Sequence, residues 1–208
     1  MKKYIAEMIG TFCLVICGTG AIVINEVTKG TVTHVGIAIS FGLIVMLMIY
    51  AIGNISGSHI NPAVSLVFYA EKELPLNDLL GYIGSQTVGA LLASLALKGL
   101  FPASINLGAT LPAGSELQSF VIEIFLAFLL MFVIERVKSN TNLAGAIIGS
   151  VIALEALFAG PITGASMNPI RSLAPALVSG NLTSLWVYLT APIIGMFLGM
   201  KVAKYISG

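Results

Sequence analysis

The sequence predicts an all-α membrane protein, with six transmembrane helices plus two re-entrant half-helices in two inverted repeats. Three observations carry that prediction. Of 208 residues only 10 are Lys or Arg and 9 are Asp or Glu, so 9% of the chain is charged while 57% is hydrophobic. Six apolar stretches are each long enough to cross a bilayer. Two shorter apolar segments, one in each half, carry the same Asn-Pro step.

A soluble domain averages about 25% charged residues, and a mean hydropathy of +1.00 leaves too few polar side chains to clothe a globule in water. The natural surroundings are membrane lipid. A net charge of +1 offers no basic field to a nucleic acid. Cys13 and Cys17 stand four residues apart at bilayer depth, outside any disulfide or metal-site pattern. No cofactor and no metal are expected. His34 and His59 lie on different segments with no Ser–His or His–Glu pairing, so an enzyme is not expected either.

A spanning helix needs about 20 apolar residues, because the hydrocarbon core is ~30 Å thick and each residue rises ~1.5 Å. The stretches Tyr4–Ile24, Val32–Asn54, Leu79–Leu100, Leu117–Arg136, Leu143–Gly160 and Leu182–Ile206 meet that need. The loops Asn25–Thr31, Glu71–Asp78, Phe101–Glu116 and Val137–Asn142, with the span ends, hold most of the charges. Met1-Lys2-Lys3 before an apolar run also fits a signal peptide, but the run's length and Glu7 favour a retained helix. With no charge-rich linker, residues 1–208 read as a single transmembrane domain, its repeats covering about 1–100 and 117–208. An inside N-terminus places Lys2, Lys3, Lys72, Arg136, Lys138, Lys201 and Lys204 in the cytoplasm, against only Lys29 and Lys98 outside. The positive-inside rule therefore predicts a multi-pass cell-membrane protein (plasma or inner) with both termini cytoplasmic.

The segments Ser56–Ala70 and Thr163–Ser179 are too short to cross. Aligned, Ser56-Gly57-Ser58-His59-Ile60-Asn61-Pro62-Ala63 matches Thr163-Gly164-Ala165-Ser166-Met167-Asn168-Pro169-Ile170. Each follows the second span of its half, and three spans per half force the copies into opposite orientations. Interrupted segments paired in this way point to a permeation or binding site. Asn is a favoured N-cap and Pro a favoured first helical residue, so short helices are expected at 62–70 and 169–178, about 14 and 15 Å long, after extended chain. Meeting near the midplane, their N-termini would present partial positive charge and repel cations. The Asn61 and Asn168 amides would donate to a passing oxygen. The backbone carbonyls of Gly57, Ser58, His59, Ile60, Gly164, Ser166 and Met167 would accept from it, since such backbone survives at membrane depth only against protein or a wet cavity. His59 is expected to pack beside that stretch. Glu7 and Glu123 hold matching places in the first helix of each half and are expected to brace the half-span backbone. Glu155, inside the fifth span, is expected to bond to the Phe101–Glu116 loop or to the Gly160–Gly164 backbone. Gly145-x-x-x-Gly149 and Gly195-x-x-x-Gly199 allow close helix packing.

The doubled motif, Asn61-Pro62-Ala63 and Asn168-Pro169-Ile170, with Glu7, Glu123 and Arg171 in a six-span frame, resembles the aquaporin, or major intrinsic protein, family. Leu157 to Asn168 is similar to the plant nodulin-like branch, which includes channels for water, glycerol and uncharged metalloid acids. The resemblance implies a filter of Phe41, Ala156, Ala165 and Arg171, wider and less polar than a water-only ring, and a homotetramer. It departs from the family at Ile170, where Ala is usual. Ser172 and Ala176 stand where dedicated glycerol channels carry Asp and a basic residue. The function so implied is a passive channel for water and small neutral solutes, glycerol or metalloid acids among them, that excludes protons and ions. A solute facilitator with little water flux is the alternative. An ion-coupled secondary transporter would need acids at the midplane, where this sequence has Asn.

Overall fold

The computed structural model describes residues 1–140 and 142–207; Thr141 of the predicted Val137–Asn142 loop and Gly208, the last residue of the predicted domain, lie outside it. Among the described residues all regular structure is helical. Six helices have the length and apolarity to span a membrane: α1 Lys2–Val27, α2 Thr33–Ser56, α4 Leu76–Leu100, α5 Glu116–Val137, α6 Ala144–Thr163 and α8 Leu185–Tyr205. The two half-helices are α3 Pro62–Ala70 and α7 Pro169–Ser179. The predicted fold class is the one observed.

Local chemistry explains the boundaries. Asn61 and Asn168 cap α3 and α7 through side-chain oxygens that accept from Ala63 N at 2.9 Å and Ile170 N at 3.1 Å, with Pro next in each chain. Helices α2 and α6 stop at Gly57 and Gly164, whose φ values of +80° and +84° are open to glycine at little cost. Helix α6 runs through Pro161 to Thr163, beyond the predicted end. Proline has no N–H for the carbonyl four residues back, and His34 takes up that orphan: its Nε2 lies 2.6 Å from Leu157 O. The first span is not uniformly α-helical, because Leu14–Thr19 is wound as a π-helix.

Glycines set how closely the spans cross. Any side chain at Gly89 of α4 would overlap the Met8 carbonyl of α1, and one at Gly195 of α8 would overlap the Ile124 carbonyl of α5. Between the halves, a Cβ on Gly42 of α2 would lie 2.5 Å from Gly149 O of α6, and one on Gly149 would lie 2.6 Å from Gly42 O. The same contact is thus made twice across an approximate twofold relation. The outward faces are apolar; on α2, Val35, Ile39, Leu43 and Leu47 form an exposed stripe at four-residue spacing. In water such a stripe is a liability, whereas in lipid it is the proper surface.

Both termini lie on one face. Lys3 pairs with Asp78 at 2.5 Å, Lys204 with Glu71 at 2.7 Å, and Lys138 with Glu73 at 2.7 Å. Glu73 is partly desolvated, which raises its carboxyl pKa, but hydrogen bonds and charge from Lys138 and Lys204 outweigh this and leave it below the ordinary range.

Gly195→Val should open the α5–α8 crossing and lower the thermal midpoint in detergent by an amount corresponding to about 1–3 kcal/mol, the usual cost of overpacking. Gly84→Val, with nothing within 4 Å of its Cβ position, is the control. Equal midpoints for the two variants would refute the close-crossing account.

Candidate functional site

A cavity of about 570 Å³ runs from Glu73 and Lys138 on the terminal face to Phe41 and Arg171 inside the protein. Its wall includes Gly57, Ser58, His59, Ile60 and Asn61 from one half, and Ser166, Met167 and Asn168 from the other. Val45, Ile49, Val64, Ile148 and Ile152 make much of the rest. The surface is therefore an apolar tube crossed by a band of backbone.

That band is built on two carboxylates. Glu7 accepts from Ser56 Oγ at 2.7 Å, His59 N at 2.9 Å, Ile60 N at 2.6 Å and Gln86 Nε2 at 2.8 Å. Glu123 accepts from Thr163 Oγ1 at 2.8 Å and from Ser166 N and Met167 N, both at 2.9 Å. Neither acid lines the cavity. The matching continues outward: Tyr82 and Tyr188 each donate a phenolic O–H at 2.7 Å to the carbonyls of Ser56 and Thr163. Buried backbone donors with no helical partner would otherwise cost about 1–3 kcal/mol each.

The chain before each Asn is not extended, as the sequence reading had it. Gly57, Ser58 and Ile60 have φ of +80°, +49° and +42°, and Gly164, Ala165 and Met167 have +84°, +44° and +52°. Left-handed residues are uncommon outside glycine, and here they recur in register in both halves. They are held because the N–H groups of His59 and Ile60, and of Ser166 and Met167, are fixed on one carboxylate each.

Asn61 and Asn168 do more than cap. Asn61 Nδ2 donates to Met167 O, and Asn168 Nδ2 donates to Ile60 O, both at 2.9 Å. One amide hydrogen of each side chain is thereby spent on the opposite half, and the second is not part of that tie. Pro62, Ala63, Pro169 and Ile170 are buried behind them. Ile170 packs with Val15, Ala90, Ala93 and Ala174, so its extra bulk fills a recess made by small residues of α4 and leaves the half-helix junction undisturbed.

At the inner end of the cavity the Arg171 guanidinium carbon lies 4.9 Å from the centre of the Phe41 ring. Arg171 is 1% exposed. Its Nη1 donates to Gly108 O at 2.9 Å, while Nε and Nη2 have no partner among the described residues. Ala156 and Ala165 are buried in the same apolar cluster as Phe41. Together with Gly164 they lie outside the wall of this cavity. His59 stacks on Phe68 at 4.9 Å, and its Nδ1 lies 3.0 Å from Ser65 Oγ.

Glu155 does not make the bonds expected of it. It is fully buried, and neither carboxyl oxygen has a partner among the described residues. Sequence reasoning missed Gln86 and Tyr82, and the hydrogen bond of Tyr188 to the half-span. The two tyrosines did carry a signal, standing at nearly the same distance beyond each Asn-Pro step.

The profile of the major intrinsic protein family matches residues 1–202. The chain belongs to that family. It is 48% identical to aquaporin NIP1-1 of Zea mays over 204 residues, covering 96% of this chain and 72% of that protein. It is 41% identical to nodulin-26 of Glycine max, covering 96% and 75%. The X-ray structure of the aquaglyceroporin from Plasmodium falciparum superposes with a TM-score of 0.89 at 25% identity, covering 99% of this chain and 96% of that one. As a major intrinsic protein, this multi-pass membrane protein is a passive channel for water and small solutes and is not an enzyme.

Glu123→Ala removes the acceptor from two backbone N–H groups and one hydroxyl. At about 1–3 kcal/mol for each buried donor, it should lower the thermal midpoint sharply, and Glu123→Gln, which keeps one acceptor, should lower it less. A midpoint unchanged in both would refute the bracing role.

Proposed function

We propose that this channel passes water together with small uncharged polyols and metalloid acids, through an aperture formed by Phe41, Ala156, Ala165 and Arg171. The supporting observation is the Arg171–Phe41 pair at 4.9 Å where the cavity reaches the protein interior, with Nε and Nη2 buried and without a protein acceptor among the described residues. Ala156 and Ala165, buried in the same cluster as Phe41, would complete the aperture on this reading and add neither bulk nor a polar group. A solute would then exchange water contacts for the Arg171 guanidinium, the Asn61 and Asn168 amides and a row of carbonyls, while any apolar part of it meets Phe41 and aliphatic wall. A cation meets a buried positive charge and two helix N-termini instead.

We place the chain in the cell membrane, plasma or inner, with both termini cytoplasmic, as a homotetramer with one pore in each protomer. The distribution of basic residues supports the orientation, and family membership supports the assembly. Native mass spectrometry of the detergent-extracted protein should give four chains.

Stopped-flow light scattering on proteoliposomes should show both water and glycerol permeability, with no dependence on a Na⁺ or H⁺ gradient. Ala156→His should narrow the aperture and cut glycerol flux by about tenfold more than water flux, the scale on which a pocket discriminates small differences in size. A preserved glycerol-to-water ratio would exclude Ala156 from the aperture. Arg171→Val should admit cations or protons, and an electrically silent variant would remove Arg171 as the barrier.

A further inference from the structure

The six-residue π-wound stretch Leu14–Thr19 breaks the correspondence between the two halves. Helix α5, which carries Glu123 as α1 carries Glu7, is α-helical throughout. Within a helix such a turn re-aims the residues that follow it. Here it sets two consecutive residues against the two sides of the aperture.

Gly18 is the first. A Cβ there would overlap the Cδ1 and Cε1 atoms of Phe41 and lie 3.0 Å from Cγ, so the ring rests directly on the backbone of α1. The same ring lines the cavity and has the Arg171 guanidinium carbon 4.9 Å from its centre. Thr19 is the second. Its Cγ2 is 2.6 Å, and its carbonyl oxygen 3.0 Å, from where a Cβ on Gly108 would stand, and Gly108 has φ +69°. The carbonyl of that same Gly108 accepts from Arg171 Nη1 at 2.9 Å. One turn of the first helix therefore backs Phe41 directly and Arg171 through a single intervening glycine.

We propose that Gly18 is a positioning residue for selectivity: it fixes how far the Phe41 ring stands from Arg171, with the π turn Leu14–Thr19 as the rigid backing. The proposal rests on the reading of Phe41 and Arg171 as the aperture. Gly18 touches no solute; it acts only through the ring in front of it. A single methyl group at position 18 has no room unless the ring shifts, and its spacing from Arg171 shifts with it; we take that shift to narrow the opening.

The test compares Gly18→Ala, Phe41→Leu and the double variant in proteoliposomes, reading glycerol and water permeability in one preparation. Gly18→Ala should lower the glycerol-to-water ratio by about tenfold. Phe41→Leu should raise that ratio, and adding Gly18→Ala to it should change nothing further, because neighbouring groups couple and the clashing ring is gone. Loss of assembled channel in Gly18→Ala that Phe41→Leu restores also supports the contact. A native ratio in Gly18→Ala, or an undiminished effect of it in the Phe41→Leu background, overturns the proposal while the aperture stands. A native ratio in Phe41→Leu removes the aperture reading itself, and the proposal with it.

Discussion

Peptide groups that belong to no helix have to be satisfied by protein when they sit at the depth of a bilayer, and in this chain Glu7 and Glu123 carry that requirement. Each holds two successive backbone N–H groups of its half-span, together with the hydroxyl that ends the preceding helix. The rest of the site follows. With those N–H groups fixed, the chain alternates in and out of the left-handed region and its carbonyls are left for other partners. The half-helices then start at Asn61 and Asn168, and the two Asn side chains tie the halves together through Met167 O and Ile60 O. Remove the carboxylates and both half-spans lose the partner that makes their backbone tolerable. The acids themselves stay off the cavity surface, with their oxygens occupied by donors, and so add little to attract a cation into the pore.

The same economy governs the spans. Lipid tails provide no hydrophobic drive between helices, so association depends on close packing. Glycines at Gly42, Gly89, Gly149 and Gly195 bring backbone against backbone. Close crossing is what lets two half-helices and six spans share so narrow a core, and it leaves the larger apolar side chains to face lipid.

Much of this was legible in the sequence because it is periodic or duplicated. Span length follows from bilayer thickness, Asn followed by Pro names a helix start, and the repeat of Glu7 with Glu123 marks paired acids in a place where single ones are costly. What stayed hidden depends on single backbone atoms or on geometry without a compositional mark. The Gly108 carbonyl that holds Arg171 is one such atom. The left-handed residues Ser58, Ile60, Ala165 and Met167 carry side chains that do not ordinarily select that region. The π turn of α1 lies in an apolar run whose residues would suit an α-helix equally well. Pro161 looked like a helix end, yet α6 passes through it because His34, 123 residues away in sequence, takes up the carbonyl that proline orphans.

The proposed role of Arg171 as the barrier has a physical rationale in its burial. A guanidinium buried to 1% exposure carries a desolvation cost that one carbonyl does not offset. The face of an aromatic ring supplies part of the remainder, and Phe41 is placed to do so. Two N–H-bearing atoms still have no protein acceptor among the described residues. A neutral oxygen brought to them would relieve that deficit without adding charge. A cation brings a like charge to a site of low dielectric, where repulsion is strongest. On the proposed reading, the same guanidinium that would serve a neutral solute is the charge that would refuse an ion.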